Sequence, residues 1–280
     1  MAVSFDQIEQ KLNSIPSLSA VVTEVIGNLN SKTVDFVALE QSIAQDPVIT
    51  ARLLAVANSS FYGLSGKVLG IKDACLVLGV NTIRSIVIAI GVIQHLERNE
   101  GGVLSHKAFW RHSIGVGTAA KMLAKNVGLD AEVAFTVGVL HDIGVLVLDS
   151  HFSDEYAAVL RYCDENNCQR YEAEEKILGF EHSLIGAGLA EKWKLPKVIV
   201  SNIANHHISP LALPLPIVDL ISIADVICKN IEIKIDNDAC NAALDYDAMK
   251  RIGLDVQMIN DCREEIERSV SSFDVLLGEE

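Results

Sequence analysis

Apolar residues recur at intervals of three and four along most of the chain, and this spacing predicts α-helices. One apolar run begins at Asp46-Pro47, where aspartate suits the residue before a helix and proline suits its first turn. Another, 71–78, is closed by Gly79, and a third, 83–93, is apolar on most of its surface, which predicts a central helix. The best alternating stretch, 231–235, is short. The pattern therefore predicts an all-α protein.

A change of lobe is predicted at Glu100-Gly101-Gly102, because adjacent glycines favour a loop. We expect an N-terminal helical lobe over residues 1–103 and a second helical lobe, ending in a C-terminal helix, over residues 104–280. Within the second lobe the periodicity predicts helices at approximately 107–126, 131–148, 153–166, 170–179, 182–193, 197–207, 216–230 and 255–275.

Seven histidine and aspartate side chains lie on helix faces that are otherwise apolar. His112 follows Phe109 at helical spacing, for example, and Asp225 follows Ile221. Burying a carboxylate without a partner is costly, so inward-facing aspartates need a counter-charge. One cation in a shared site would stabilise all of these groups together. The seven residues are His112, His141, Asp142, His182, His206, His207 and Asp225.

Imidazole and carboxylate ligands suit a divalent transition metal such as Fe, Mn, Zn, Ni or Co. Because the set contains no cysteine, a structural zinc site of the cysteine type is not indicated. For any single histidine, a hydrogen-bonded core residue is the simpler interpretation. Seven such residues on five helices favour a shared site that holds one or two ions. We expect His95, His106 and His151, which lie near helix ends or loops, to be surface residues.

Charge and composition restrict the classes of binding partner and the cellular compartment that we expect. The net charge of −14 disfavours both nucleic acid and anionic membrane surfaces, which attract basic proteins. Six cysteines without a CxxC pair indicate reduced thiols and a cytoplasmic protein, and the N-terminus does not have the pattern of a signal peptide. The most membrane-like stretch, 76–93, contains Gly79, Asn81 and Arg84, so we interpret it as buried core helices.

The segment VLHDIG, residues 139–144, resembles the HD superfamily of metal-dependent phosphohydrolases. A longer series is similar to the HDOD family over approximately residues 12–225. It comprises IPSLSAVVTEVI, LEQSIAQDPVITARLLAVANSSFYG, IKDACLVLGVNTIRSIVIA, FWRHS, HDIG, HSLIGAGLAEKWKLP and NHH. This resemblance implies a two-lobed helical fold with an HD-type core. It also implies a bacterial signal-transduction module that works through a protein partner, usually without catalysis. The oligomeric state stays open.

The order of the seven residues also resembles the binuclear site of the HD-GYP branch. That resemblance implies that His141 and Asp142 hold the metals and that Asp142 bridges two ions. It places His112 and Asp225 on one ion, and His182, His206 and His207 on the other.

Two departures separate this chain from HD-GYP enzymes. The lysine that typically follows HDIG is Val145 here, and residues 208–212 read ISPLA where the GYP loop would follow. Cyclic-dinucleotide hydrolysis is therefore disfavoured, and a regulatory module with a structural or sensory metal site is the favoured hypothesis. The alternative is a metal-dependent phosphohydrolase.

A phosphohydrolase also needs cations that bind phosphate. Arg111 points away from the His112 face, and helix phase predicts that Lys121 is exposed. Arg84 is the only basic residue in a strongly apolar helix, which is more typical of a salt-bridged or partly solvated arginine than of a substrate ligand.

Overall fold

The computed structural model describes residues 5–27, 36–59, 62, 67–96, 102–207, 215–231, 233–235 and 243–272. Within these ranges the chain forms sixteen α-helices and no β-strand, which confirms the all-α prediction. Glu100 and Gly101 of the predicted boundary, the loop 208–212, residue 232 within the stretch 231–235 and the last three residues of the helix predicted over 255–275 lie outside the described residues. The division into 1–103 and 104–280 stays a prediction.

Six helices precede the predicted boundary, and α6 is the most buried of them. The Asp46 carboxylate accepts hydrogen bonds from the amides of Val48 and Ile49, both at 3.0 Å, so α4 begins where the sequence predicts. Helix α6 packs against α2, α4, α5 and α8, which confirms its central position. The helices are α1 (Phe5–Ser14), α2 (Ala20–Gly27), α3 (Phe36–Ala44), α4 (Pro47–Ala57), α5 (Ile71–Leu78) and α6 (Val80–Leu96).

Ten further helices are described in the rest of the chain, and α7 lies at their centre, in contact with α8, α14 and α16. They are α7 (His106–Val127), α8 (Ala131–Leu140), α9 (Ile143–His151), α10 (Ser153–Asn166), α11 (Arg170–Leu178), α12 (His182–Lys192), α13 (Lys197–Asn205), α14 (Pro216–Asn230), α15 (Tyr246–Ile252) and α16 (Val256–Ser272).

One helix prediction was wrong, and one helix was not predicted. The single helix expected over 131–148 is interrupted at His141-Asp142, where the Asp142 backbone (φ −98°, ψ 10°) leaves the helical region. Helix α15 was not predicted, because seven residues are too few for a helical period to stand out. Its ends are nevertheless marked in the sequence by Asp245, which caps the first turn, and by Gly253 at φ +76°.

Glycines allow the helices that carry the seven side chains to touch backbone to backbone. A Cβ on Gly144 of α9 would lie 2.0 Å from the carbonyl oxygen of His182, at the start of α12. A Cβ on Gly138 of α8 would lie 2.6 Å from the Cα of Gly117 in α7. Since such distances exclude any side chain, glycine is required at both crossings.

The expectation that Lys121 is exposed was wrong. Its side chain is buried, and its Nζ lies 2.8 Å from Oε1 of Glu132, which also accepts from the Thr82 hydroxyl at 2.8 Å. The salt bridge or partial solvation expected of Arg84 is not seen among the described residues, since the side chain is buried and its Nε has no hydrogen-bond partner there. Because Lys121 is buried and paired with Glu132, its ammonium is not available to bind a phosphate.

The stretch 76–93, interpreted from the sequence as buried core helices, is buried over most of α6 but exposed at Leu76 and Val77. The longest apolar stretch by composition is Ala131–His151, which α8 and α9 form together. It is long and apolar enough by composition to cross a membrane, yet 83% of its most apolar window is buried within the protein. Such burial is typical of helices in the core of a globular protein.

Candidate metal centre

The structure brings all seven predicted side chains together. Five parts of the chain contribute them: the middle of α7 (His112), the break between α8 and α9 (His141 and Asp142), the first residue of α12 (His182), the residues just after α13 (His206 and His207) and α14 (Asp225). They form two groups, within each of which the candidate ligand atoms lie no more than 4.8 Å apart. The first group is Asp142, His182, His206 and His207, and the second is His112, His141 and Asp225.

The first group is centred on Nε2 of His182. This atom lies 3.0 Å from Oδ1 of Asp142, 3.2 Å from Nε2 of His206 and 3.0 Å from Nε2 of His207. The ring of His207 stacks on Tyr171, with centroids 4.4 Å apart, which holds it beside the other two imidazoles.

The second group is joined to the first through Asp142. Its Oδ1 lies 3.3 Å from Nε2 of His141, and 3.3 Å from Nε2 of His206 in the first group. Nε2 of His112 lies 3.1 Å from Oδ1 of Asp225. One carboxylate therefore faces both groups, in the position that the resemblance implies for a bridge.

The hydrogen bonds on the far side of each ring decide which nitrogen carries a proton. Nδ1 of His112, His141 and His206 lies 2.7–2.9 Å from a backbone carbonyl, of Ile233, Gly138 and Ile203 respectively. A carbonyl oxygen can only accept, so each Nδ1 must donate. Unless the ring takes a second proton, each Nε2 is left with a lone pair that points into the cluster.

A buried carboxylate orients the fourth histidine in the same way. Oε2 of Glu174 accepts from the His182 backbone amide at 2.8 Å and from its Nδ1 at 2.6 Å. Glu174 is fully buried. Carboxylates that fix the outer nitrogen of a metal-binding imidazole are a recurring feature of metal sites.

The donor set fits a cation. Lone pairs on Nε2 face oxygens of Asp142 and Asp225 at 3.0–3.3 Å, and two acceptors at that distance repel unless a positive charge lies between them. Either a second proton on a ring or a metal ion supplies that charge. The contacts are all to nitrogen and oxygen, which suits a divalent transition metal.

Protonation alone does not satisfy every pair. Burial lowers the pKa of His141 to about 4 despite the opposing Asp142 carboxylate, so its Nε2 has no proton at neutral pH. Burial also holds the pKa of His207 well below its usual value. At His182 the Glu174 and Asp142 carboxylates outweigh burial and raise the pKa to about 10, so a proton occupies this ring whenever no metal does.

Sequence reasoning missed two charged residues of the cluster. Glu174 lies in α11, a helix rich in acidic residues, and nothing in the sequence distinguishes it from exposed Glu172 and Glu175. Lys229 lies one helical turn after Asp225, with its Nζ 2.9 Å from Oδ2 of that carboxylate, and its i,i+4 spacing was a usable signal. Lys229 holds the pKa of Asp225 well below its usual value, against the effect of burial.

Comparison with solved structures supports the fold. An HDOD domain protein of unknown function from Geobacter sulfurreducens superposes with a TM-score of 0.81 at 24% identity, over 96% of this chain and 99% of that one. A Shewanella amazonensis protein named "putative phosphohydrolase" superposes with a TM-score of 0.78 at 26% identity, over 96% of this chain and 97% of that one.

Curated relatives match parts of longer proteins. An uncharacterized protein of Treponema pallidum (strain Nichols) is 27% identical over 210 residues, which are 73% of this chain and 40% of that protein. Ribonuclease Y of Thermus thermophilus is 32% identical over 136 residues, or 49% of this chain and 18% of the enzyme. The chain thus spans two fifths or less of the length of these relatives.

The HDOD domain family profile matches residues 15–209, which is most of the chain and includes six of the seven clustered side chains. The prediction made from the sequence motifs is confirmed: this chain belongs to the HDOD family.

Proposed function

We propose that this protein is a regulatory module of a bacterial, cytoplasmic signalling pathway, that its His/Asp cluster binds one or two divalent transition-metal ions, and that it acts through a protein partner. The observation that carries the metal assignment is the His141–Asp142 contact. A neutral imidazole lone pair faces a carboxylate oxygen there at 3.3 Å, and a cation between them converts repulsion into ligation. The ligands would be the seven side chains, with Asp142 shared between the two groups.

Hydrolysis of cyclic dinucleotides is not part of this proposal. Val145 occupies the position of the lysine that is typical of HD-GYP enzymes, is fully buried and has no charge to offer a phosphate. Lys229 is tied to Asp225 and Lys121 to Glu132. In this role the metal would hold together helices α7, α12 and α14, the break between α8 and α9, and the end of α13, and its binding free energy would add to the stability of the fold.

A metal-dependent phosphohydrolase is the second candidate. It is favoured by the position of Asp142 between two ligand groups and by the likeness to the Shewanella amazonensis protein. Two bound ions would supply charge stabilisation for a phosphoryl group and an activated water. For this chain's own residues, the role of Asp142 would be to hold both ions, while Glu174 would keep His182 in the required orientation.

Metal content and turnover of the full chain separate the two candidates. We expect bound transition metal by elemental analysis after purification without chelators, a large loss of it in Asp142→Asn, and none in the exposed control Asp154→Asn. Neither bis-p-nitrophenyl phosphate nor cyclic di-GMP should be hydrolysed faster by wild type than by Asp142→Asn. Metal-dependent turnover that Asp142→Asn abolishes would establish the second candidate, and a protein that takes up no metal on titration would exclude both.

A further inference from the structure

Two of the seven clustered side chains are less buried than the others. Asp225 has 18% of its side chain exposed and His207 is half-buried, whereas the remaining five are buried. Among the described residues, an ion or small ligand therefore reaches the cluster most directly past His207 and Asp225.

The ring of Tyr171 covers His207. The two rings stack with centroids 4.4 Å apart and planes 23° from parallel, whereas the imidazoles of the cluster meet one another at 46–87°. Tyr171 is half-buried, so part of its side chain remains in contact with solvent. Its ring therefore lies between solvent and the imidazole that it covers.

Lys229 flanks the other partly exposed side chain, Asp225, from a different helix. Its Nζ, on α14, lies 2.9 Å from Oδ2 of Asp225. Burial raises the pKa of the Tyr171 phenol, and the carboxylates of Glu172 and Glu181 raise it further. Lys229 lowers the same pKa, so its ammonium acts on the phenol as well as on Asp225. Tyr171 from α11 and Lys229 from α14 thus lie on two sides of one entry to the cluster.

The Tyr171 ring can leave His207 without movement of the backbone. Tyr171 is the second residue of α11, and rotation about its Cα–Cβ bond carries the ring from one staggered position to another. The imidazole beneath it is less free to move, because Nε2 of His207 lies 3.0 Å from Nε2 of His182 inside the cluster. Breaking the stacking contact opens the entry, at a cost that corresponds to about a two- to tenfold change in rate.

We infer that Tyr171 is a gate of the metal centre: with its ring on His207 an ion is enclosed, and rotation of the ring lets the ion enter or leave between His207 and Asp225. This inference rests on the proposed binding of metal by the cluster. It concerns rates, since a gate slows uptake and release by the same factor and leaves the dissociation constant unchanged. A side chain that only positioned His207 would behave differently, because its loss would speed release alone and weaken binding.

The rates of cobalt(II) exchange in the full chain test the gate. Stopped-flow mixing of metal-free protein with cobalt(II) measures uptake, and mixing of loaded protein with EDTA, at concentrations where the rate no longer depends on EDTA, measures release. Tyr171→Ala should raise both rate constants about two- to tenfold and leave their ratio within a factor of about two. Tyr171→Phe keeps the ring and should match wild type. Tyr162→Ala removes another half-buried tyrosine, on α10, and should also match wild type.

Acylation by diethyl pyrocarbonate tests the cover over His207 on metal-free protein, with the modified peptides identified by mass spectrometry. In wild type, His207 should react more slowly than His106, which is half-buried outside the cluster. His95 and His151 are half-buried as well, so the expectation from the sequence that these three histidines lie on the surface was wrong. Tyr171→Ala should accelerate acylation of His207 and leave that of His106 unchanged. The wild-type comparison holds even if the variant fails to fold.

The possible results separate the gate from the metal centre itself. Wild type that takes up no cobalt(II) would refute the proposed function and the gate together. Metal binding with both rates unchanged in Tyr171→Ala, or with release alone accelerated, would refute the gate and leave the proposed function in place. Acylation of His207 as fast as that of His106 in wild type would likewise show that Tyr171 does not cover this ring.

Discussion

The carboxylate of Glu174 offers the sharpest test of the proposed metal centre. Glu174→Gln keeps the size and one oxygen, but it replaces a charged acceptor of two hydrogen bonds, at 2.8 and 2.6 Å from His182, by a neutral one. Loss of such an orienting partner typically lowers metal affinity about 10–100-fold, which corresponds to about 1.4–2.8 kcal/mol.

The second carboxylate oxygen of Glu174, Oε1, determines how much Glu174→Gln lowers the free energy of unfolding. Oε1 of Glu174 has no hydrogen-bond partner among the described residues, and the glutamine NH₂ group would take its place in the buried interior. An unsatisfied buried donor costs about 1–3 kcal/mol, so the metal-free variant should unfold at a lower denaturant concentration than metal-free wild type.

Competition with a chromophoric chelator measures the metal affinity, and urea unfolding of the metal-free proteins measures the stability. Glu175→Gln is the matched control, since Glu175 is the adjacent residue of α11 and is exposed. It should change neither quantity. The reasoning is refuted if Glu174→Gln binds metal as tightly as wild type, because His182 would then need no orienting carboxylate.

Three further substitutions test the structure around the cluster. Gly144→Ala should destabilise the fold by about 3 kcal/mol or more in urea unfolding, because the new methyl group would meet the backbone of His182. Lys121→Met should cost roughly 2–3 kcal/mol by the same assay, since it leaves Glu132 half-buried without its ion pair. Lys192→Met should raise hydrogen exchange in residues 12–16, because the Lys192 ammonium donates to three backbone carbonyls there, those of Leu12, Asn13 and Ile15. The free energy of unfolding should fall by about 1–3 kcal/mol.

Each of these substitutions has a control of the same type. Gly27→Ala places its Cβ in open space at the end of α2 and should be neutral or stabilise by about 0.4–1 kcal/mol. Lys125→Met and Lys197→Met remove exposed lysines and should shift stability by about 0.5 kcal/mol at most. If a test variant behaves like its control, the corresponding contact contributes nothing measurable to the fold.

The sequence was sufficient to predict positions that depend on helix phase alone. His112 and Asp225 each lie on an otherwise apolar stripe, so periodicity predicts that both side chains face inward. His112 is fully buried and Asp225 is half-buried. The same reasoning failed for Lys121, whose burial depends on Glu132 from another helix. Helix phase describes one helix at a time, whereas an ion pair depends on how two helices meet.

Residues that support the cluster from outside the ligand set could not be predicted from the sequence, for a similar reason. Glu174 points inward only because α11 packs against α10 and ends directly before α12, where its carboxylate meets His182. The break at His141-Asp142 was equally hidden, since the residues on both sides of it are apolar and favour one continuous helix. Both features depend on tertiary packing that overrides the local pattern.

The backbone contact between α9 and α12 bears on ion selectivity. Gly144 and Gly186 let these helices touch with no side chain between them, so the separation of Asp142 from His182 is set by main chain rather than by compressible side chains. A pocket with such fixed walls cannot expand around a large ion. Calcium, which takes oxygen ligands at about 2.3–2.6 Å in a flexible shell, should therefore be rejected in favour of smaller ions that bind nitrogen at about 2.0–2.1 Å.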